Sequence, residues 1–275
     1  MNPSEYFHRN FVITGIPRSG TSLMSKLVNL FDNAVCLNEI FYNVGLLPGW
    51  FADIRTAIVE GKPIPNRYDN QGELTSNTMK DGEELQYKKF DRKFSEDILI
   101  GSKVNAPYMF QLDKIIYNRI PVIAIIRHPV YVIGSYQMPW TATLNIANPL
   151  TDKRYKDYPF RNSFAKNWPY TKGKKQLRED LERKAKINCQ AELWEYFAKV
   201  LLQYEKDVHI FKYEEITDAV FTSLEKFAGL FDLSLPQEIP MLENKNDDSR
   251  YKHLQDINDA VKLWCPSIER FGYSL

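Results

Sequence analysis

The stretch Phe11-Val12-Ile13-Thr14-Gly15-Ile16-Pro17-Arg18-Ser19-Gly20-Thr21-Ser22-Leu23-Met24 decides how this chain folds. Its apolar start reads as a buried strand. A turn rich in Gly, Pro and Ser follows, and Leu23, Leu27 and Leu30 then recur at helical spacing. Strand, tight loop and helix start together make an anion site, because loop N–H groups and the helix N-terminus converge on one place. A phosphate-bearing ligand is the expectation.

The loop comes close to a nucleoside-triphosphate loop and departs from it at one position. That motif is Gly, four residues, then Gly-Lys-Ser/Thr. Gly15 and Gly20 are correctly spaced and Ser22 fills the Ser/Thr slot, but Thr21 stands where Lys is required. The cation sits instead at Arg18, inside the loop. A kinase or ATPase also needs an acidic strand end to hold magnesium. The best second strand, Pro121-Val122-Ile123-Ala124-Ile125-Ile126, ends in Arg127-His128-Pro129. Both strand ends therefore offer positive charge to phosphate and neither offers carboxylate to a metal. The pattern suits a nucleotide with a second phosphate that needs its own clamp, and a reaction without metal.

These residues resemble a family. Gly15 to Ser22 is similar to the 5′-phosphosulfate loop of the sulfotransferases. Arg127-His128-Pro129 followed by Ser135 is similar to their 3′-phosphate signature, Arg-x-Pro-x5-Ser. The Pro-Arg-Ser-Gly-Thr variant resembles the Golgi and tyrosylprotein type and its bacterial relatives. The resemblance implies 3′-phosphoadenosine 5′-phosphosulfate as sulfuryl donor and 3′-phosphoadenosine 5′-phosphate as product. It covers roughly residues 11–39, 98–135 and 190–275.

Composition agrees with one enzyme domain over 1–275. The chain is 44% hydrophobic and 26% charged, enough for one three-layer α/β core. A net charge of +1 gives no argument for nucleic acid. Cys36, Cys189 and Cys265 have no CxxC spacing and cannot all pair, so no metal knot is implied and a reducing compartment is the simple reading. The start, Met1 to Tyr6, lacks a signal-peptide apolar region, and no apolar run approaches a membrane span. A cytoplasmic enzyme is expected, with a trimmed domain of an anchored protein as the alternative.

Strands are expected at Phe11 to Thr14, Ala34 to Leu37, Ile98 to Lys103, Pro121 to Ile126 and Val208 to Tyr213. Helices are expected at about Ser22 to Phe31, Asp113 to Arg119, Leu177 to Tyr204, Thr222 to Phe231 and Asp256 to Cys265. Leu47-Pro48-Gly49-Trp50, Lys62-Pro63-Ile64-Pro65 and Asp69-Asn70-Gln71-Gly72 read as turns. This alternation implies a mostly parallel sheet with helices on both faces, a P-loop-like core.

The donor site then takes shape. Arg18 is expected against the phosphosulfate, with N–H groups of Ser19, Gly20, Thr21 and Ser22 round it and the Thr21 and Ser22 hydroxyls added. Arg127 offers a planar fork to the 3′-phosphate, and Ser135 a hydroxyl at the next helix start. The resemblance carries Tyr213 over as a nucleotide contact, in a strand ending Tyr-Glu. It places Ser249 and Lys252 in a polar loop over the nucleotide. Relatives of the tyrosylprotein type carry an Arg four residues after the signature Ser, where this chain has Pro139.

Glu39 is the expected base, 21 residues past Arg18, a spacing similar to that of the tyrosylprotein type. A carboxylate there takes the proton of a weakly nucleophilic hydroxyl. Lys103 resembles the family's strand-end Lys that faces the leaving group, where charge builds. Each also has a plainer reading, Glu39 as a helix-start acid and Lys103 as a surface lysine. His128 is the second-choice base.

From Lys153 to Lys186 there are twelve Lys or Arg, with Tyr155, Tyr158, Phe160, Phe164, Trp168 and Tyr170 interleaved. That segment could bind an acidic peptide or an anionic glycan, or be a solvated basic face. The acceptor stays open among a glycan, a peptide tyrosine and a small alcohol or phenol. Two other classes remain, a P-loop kinase-like enzyme and a non-catalytic nucleotide-binding module. Magnesium dependence marks the first, and binding without transfer the second.

Overall fold

The structure is a computed structural model that describes residues 9–67, 86–138 and 175–275. These fall into two compact units, one built from residues up to Ile126 with Tyr204–Asn244, the other from Arg127–Gln203 with Lys245–Leu275.

The first unit holds a five-stranded parallel sheet. In chain order its strands are β1 (Asn10–Gly15), β2 (Ala34–Asn38), β5 (Leu99–Lys103), β6 (Val122–Ile126) and β7 (Val208–Lys212). In space the order is β2-β5-β1-β6-β7. Every pair is parallel, with Ile13 opposite both Lys103 and Ile123, and Asn38 opposite Lys103. The strands are continuous apolar runs because both faces are covered. On one face Phe11, Ile13, Cys36, Ile123 and Ile125 pack against α1 (Thr21–Val28) and α8 (Val220–Phe231), through Met24, Leu27, Leu224 and Phe227. On the other face Ser102 meets Tyr108 of α3 (Ala106–Met109), their hydroxyls 2.8 Å apart. This three-layer α/β arrangement is the expected one.

Parallel strands put their C-terminal ends at one edge, and β1 lies where the chain order reverses, the usual ligand position in such sheets. Gly15, Asn38 and Lys103 all end strands at that edge.

Some local expectations fail for identifiable reasons. Leu47-Pro48-Gly49-Trp50 is no turn but the start of α2 (Leu47–Val59), where proline lacks an N–H that would be unsatisfied anyway. Ile64 to Asn66 forms β3 (Ile64–Asn66), which pairs antiparallel with β4 (Gln86–Lys88) in a separate two-stranded ribbon. Proline is tolerated in such an edge strand. Tyr213 does not end a strand; it opens α7 (Tyr213–Asp218). The helix α4 (Leu112–Tyr117) matches the one expected from Asp113. The turn at Asp69–Gly72, Pro139 and most of the basic aromatic stretch lie outside the described residues.

The second unit is helical. It contains α5 (Pro129–Tyr136), α6 (Lys175–Gln203) and α9 (Leu254–Trp264). Ser135 lies in the last turn of α5 rather than at a helix start, because Pro129 already occupies the first position. Trp194 donates its indole N–H to the Arg127 carbonyl at 3.1 Å and meets Phe271 edge-on. Glu195 accepts from the Ser267 hydroxyl at 2.7 Å and from its amide at 3.1 Å. Among the described residues no helix is long and apolar enough to cross a membrane.

Candidate active site

The loop after β1 turns on three residues with positive φ. Gly15 has φ 141°, Arg18 75° and Gly20 92°. At Gly15 a Cβ would lie 2.1 Å from the Ile125 carbonyl oxygen, so glycine alone lets β1 leave the sheet so close to β6. At Gly20 a Cβ would lie 2.6 Å from Tyr213 Cδ2. The close approach of the loop to the Tyr213 ring thus unites two of the sequence candidates.

Within the loop the Ser19 amide donates to the Ile16 carbonyl at 3.1 Å, closing a tight turn. Its N–H is therefore directed inward, not round an anion as the sequence suggested. The Ser19 hydroxyl is fully buried and lacks a hydrogen-bond partner. The Thr21 hydroxyl donates to Asn105 Oδ1 at 2.6 Å, and the Thr14 hydroxyl to the Asn105 carbonyl at 2.9 Å. Asn105 thus latches the end of β1 to the start of α1, a role the sequence does not mark. The N-cap of α1 is Gly20, with no side-chain cap hydrogen bond and no acidic residue in the first turn, so the helix N-terminal dipole favours an anion.

Glu39 follows β2 with φ 52°, a left-handed conformation rare for a residue with a side chain. Its amide donates to the Lys103 carbonyl at 2.7 Å. Its Oε1 accepts from Lys103 Nζ at 2.7 Å, and its Oε2 lies 3.4 Å from an Arg67 terminal nitrogen. The side chains of Lys103, Arg67 and Glu39 are 1%, 6% and 13% exposed, so the cluster is nearly removed from water. Next to it Tyr108 donates to the Phe41 carbonyl at 2.8 Å, and burial pushes its phenol above the ordinary range. Phe41 in turn stacks on Trp50, centroids 5.0 Å apart. The structure thus unites Glu39 and Lys103, and adds Arg67, which sequence reasoning missed. Arg67 lies in a stretch whose pattern is loose and carries no motif.

In the second unit, Arg127 is buried and donates through Nε to Asn246 Oδ1 at 2.7 Å. A terminal nitrogen reaches the Tyr251 hydroxyl at 3.2 Å and the Lys245 carbonyl at 3.3 Å. The ring of Tyr251 packs on Gly134, where a Cβ would come within 2.6 Å of it. The polar loop that carries Ser249 and Lys252 is therefore folded onto Arg127 through Asn246 and Tyr251. Ser135 is buried, whereas Ser249 and Lys252 are exposed. The Ser249 hydroxyl and amide both bind Asp247 Oδ1, at 2.8 and 2.9 Å, which holds the Asp247 carboxyl below its ordinary range.

His128 is placed as a helix cap. Its Nδ1 accepts from the Val130 amide at 3.3 Å, and Nε2 lies 2.9 Å from the Ser274 carbonyl, to which it must donate. With both ring nitrogens committed to backbone, it is poorly disposed to act as a base. Among the described residues no group of three or more His, Cys, Asp or Glu is placed to hold a metal ion.

No protein-family model matches the chain, and no curated protein matches it. Among solved structures, a sulfotransferase from Alicyclobacillus acidocaldarius is similar over 95% of this chain and 93% of that one, at 15% identity and a TM-score of 0.45. Mouse sulfotransferase SULT7A1 complexed with PAP is similar over 98% of this chain and 68% of that one, at 12% identity and a TM-score of 0.41.

Proposed function

We propose that this chain is a sulfotransferase that moves a sulfuryl group from 3′-phosphoadenosine 5′-phosphosulfate to an acceptor hydroxyl or amine. The observation that carries the reading is Glu39 against Lys103 at the C-terminal edge of the sheet, in the same unit as a phosphate-type loop. A kinase site would want a carboxylate facing magnesium at that edge. Here the carboxylate is held by two cations.

The residues fit a donor of this charge. The loop and the first turn of α1 carry no acidic side chain, Arg18 supplies a cation, and the Ser19 hydroxyl is buried without a partner. Arg127 and Ser135 are assigned the 3′-phosphate from their spacing, and Tyr213, against Gly20, the nucleotide. Ser249 and Lys252 are assigned as further nucleotide contacts from the resemblance.

In the reaction the acceptor oxygen or nitrogen bonds to sulfur as the bond from sulfur to the phosphate oxygen breaks. Glu39 takes the acceptor's proton. The departing electron pair stays on the phosphate oxygen, where the Lys103 ammonium and Arg18 guanidinium offset the growing negative charge. No step requires a metal.

The test is transfer of labelled sulfuryl from the donor to panels of phenols, tyrosine peptides and glycans, in excess EDTA. The reading expects label on at least one panel. Tight binding of the nucleotide with no transfer would make the chain a binding module. Phosphoryl transfer restored by magnesium would make it a kinase-like enzyme.

A further inference from the structure

Arg67 has no part in the donor loop or in the strand-end pair, yet it grips Glu39 at two points. One terminal nitrogen donates to the Glu39 carbonyl at 2.8 Å and to the Tyr42 hydroxyl at 3.1 Å, and the other faces Oε2 at 3.4 Å. The Tyr42 hydroxyl itself donates to the same Glu39 carbonyl at 2.8 Å. Arg67 is in turn fixed from behind. Asn66 Oδ1 accepts from the Arg67 amide at 2.9 Å and from the Asn38 amide at 3.1 Å, so one buried amide side chain ties the end of β3 to the end of β2.

We propose that Arg67 is the positioning residue of Glu39, a role that rests on the proposed sulfuryl transfer. Two physical needs point to it. First, Glu39 sits in the left-handed region, and such a conformation persists only where its surroundings over-determine it. Arg67 and Tyr42 both donate to its carbonyl, while its amide donates to the Lys103 carbonyl. Second, Lys103 has two duties that compete. An ammonium bound wholly to Glu39 cannot also stabilise a leaving oxygen, and a buried carboxylate stripped of its cation is costly. Arg67 supplies a second, fixed positive charge. Lys103 is then able to interact with the leaving oxygen while Glu39 stays paired and aimed. Only a planar fork bridges carboxylate, carbonyl and hydroxyl at once.

The experiment compares wild type, Arg67→Met and Arg67→Lys by two readouts. The first is hydrogen exchange of the peptide containing the Glu39 amide, which is independent of activity. Arg67→Met should speed that exchange about tenfold or more, the factor for one lost hydrogen bond to a charged group. The second is kinetics with calorimetry of 3′-phosphoadenosine 5′-phosphate. Arg67→Met should lower kcat by about 10²-fold, as for a catalytic group displaced by an ångström, with the nucleotide Kd unchanged. Arg67→Lys, which keeps the charge and loses the fork, should fold and recover part of kcat. Unchanged exchange in both variants overturns the proposal. So does faster exchange with wild-type kcat, and so does a Kd that weakens in step with kcat. If the wild-type protein sulfates no acceptor, the reading of the reaction falls, and the exchange arm still decides whether Arg67 holds Glu39.

Discussion

Lys103 Nζ lies 2.7 Å from Glu39 Oε1, and the Glu39 amide donates to the Lys103 carbonyl at the same separation, so the ends of β2 and β5 are joined by side chain and by backbone. Lys103 is 1% exposed. Breaking a buried pair by removing one partner leaves an uncompensated charge, at a cost of about 3–5 kcal/mol. Arg67 still faces the carboxylate, so Lys103→Met should fall at about 3 kcal/mol in urea unfolding, the low end of that range. Glu39→Gln should cost at least as much, because the buried Lys103 ammonium and Arg67 guanidinium are then left together with no anion between them. Equal stability of Lys103→Met and wild type would mean that the pair is not formed in solution.

Arg127→Ala should weaken binding of 3′-phosphoadenosine 5′-phosphate by about 2–5 kcal/mol, the range for truncating one partner of a buried charge pair. The residue is buried and its guanidinium is oriented by Asn246 and Tyr251. Calorimetry with the nucleotide lacking the 3′-phosphate supplies the control, which should bind both proteins alike. Equal weakening of the two nucleotides would remove Arg127 from 3′-phosphate recognition.

Gly15→Ala should destabilise the first unit by about 1–3 kcal/mol or more, because its Cβ meets backbone that cannot swing aside. Gly61→Ala serves as the comparison. Gly61 also has positive φ, at 65°, but nothing lies within 4 Å of its Cβ position. Its cost should be that of the left-handed backbone alone, about 1 kcal/mol. Denaturant midpoints in the reverse order would contradict the strand-to-loop geometry.

Glu192, on α6, gives a pH prediction. Burial pushes its carboxyl up to about 7 from 4.5, and Oε2 is buried without a partner. A raised carboxyl favours the protonated form in the folded state. Stability is therefore lost as pH climbs from about 4.5 through about 7, and the loss is complete above that. Glu192→Gln removes the titration. Its Tm should exceed that of wild type at pH 8 and approach it at pH 4. A variant that melts below wild type at pH 8 would sink the assignment.

The sheet was legible in the sequence because each strand is an apolar run ending in chemically distinctive residues, such as Gly15, Asn38-Glu39 and Ser102-Lys103. Glu39 and Lys103 were each found at a strand end, and parallel pairing then brings them together across 64 residues. Arg67 and Asn105 were not found. Their partners lie 28 and 84 positions away, and nothing local marks an arginine that binds a distant carbonyl or an asparagine that binds a distant hydroxyl. Ser135 was placed at a helix start because the reading did not use Pro129 as the first helical residue. The basic aromatic stretch, on which the acceptor reading rested, lies mostly outside the described residues.

Glu39→Gln tests the central claim most directly. Single-turnover transfer, with a donor and acceptor at saturation, isolates the chemical step. The amide keeps a contact to Lys103 but cannot accept a proton. The rate should fall by about 10²–10⁴. Affinity for 3′-phosphoadenosine 5′-phosphate should stay unchanged, since Glu39 is assigned no donor contact. A Glu39→Gln protein that transfers sulfuryl groups at the wild-type rate would contradict the account.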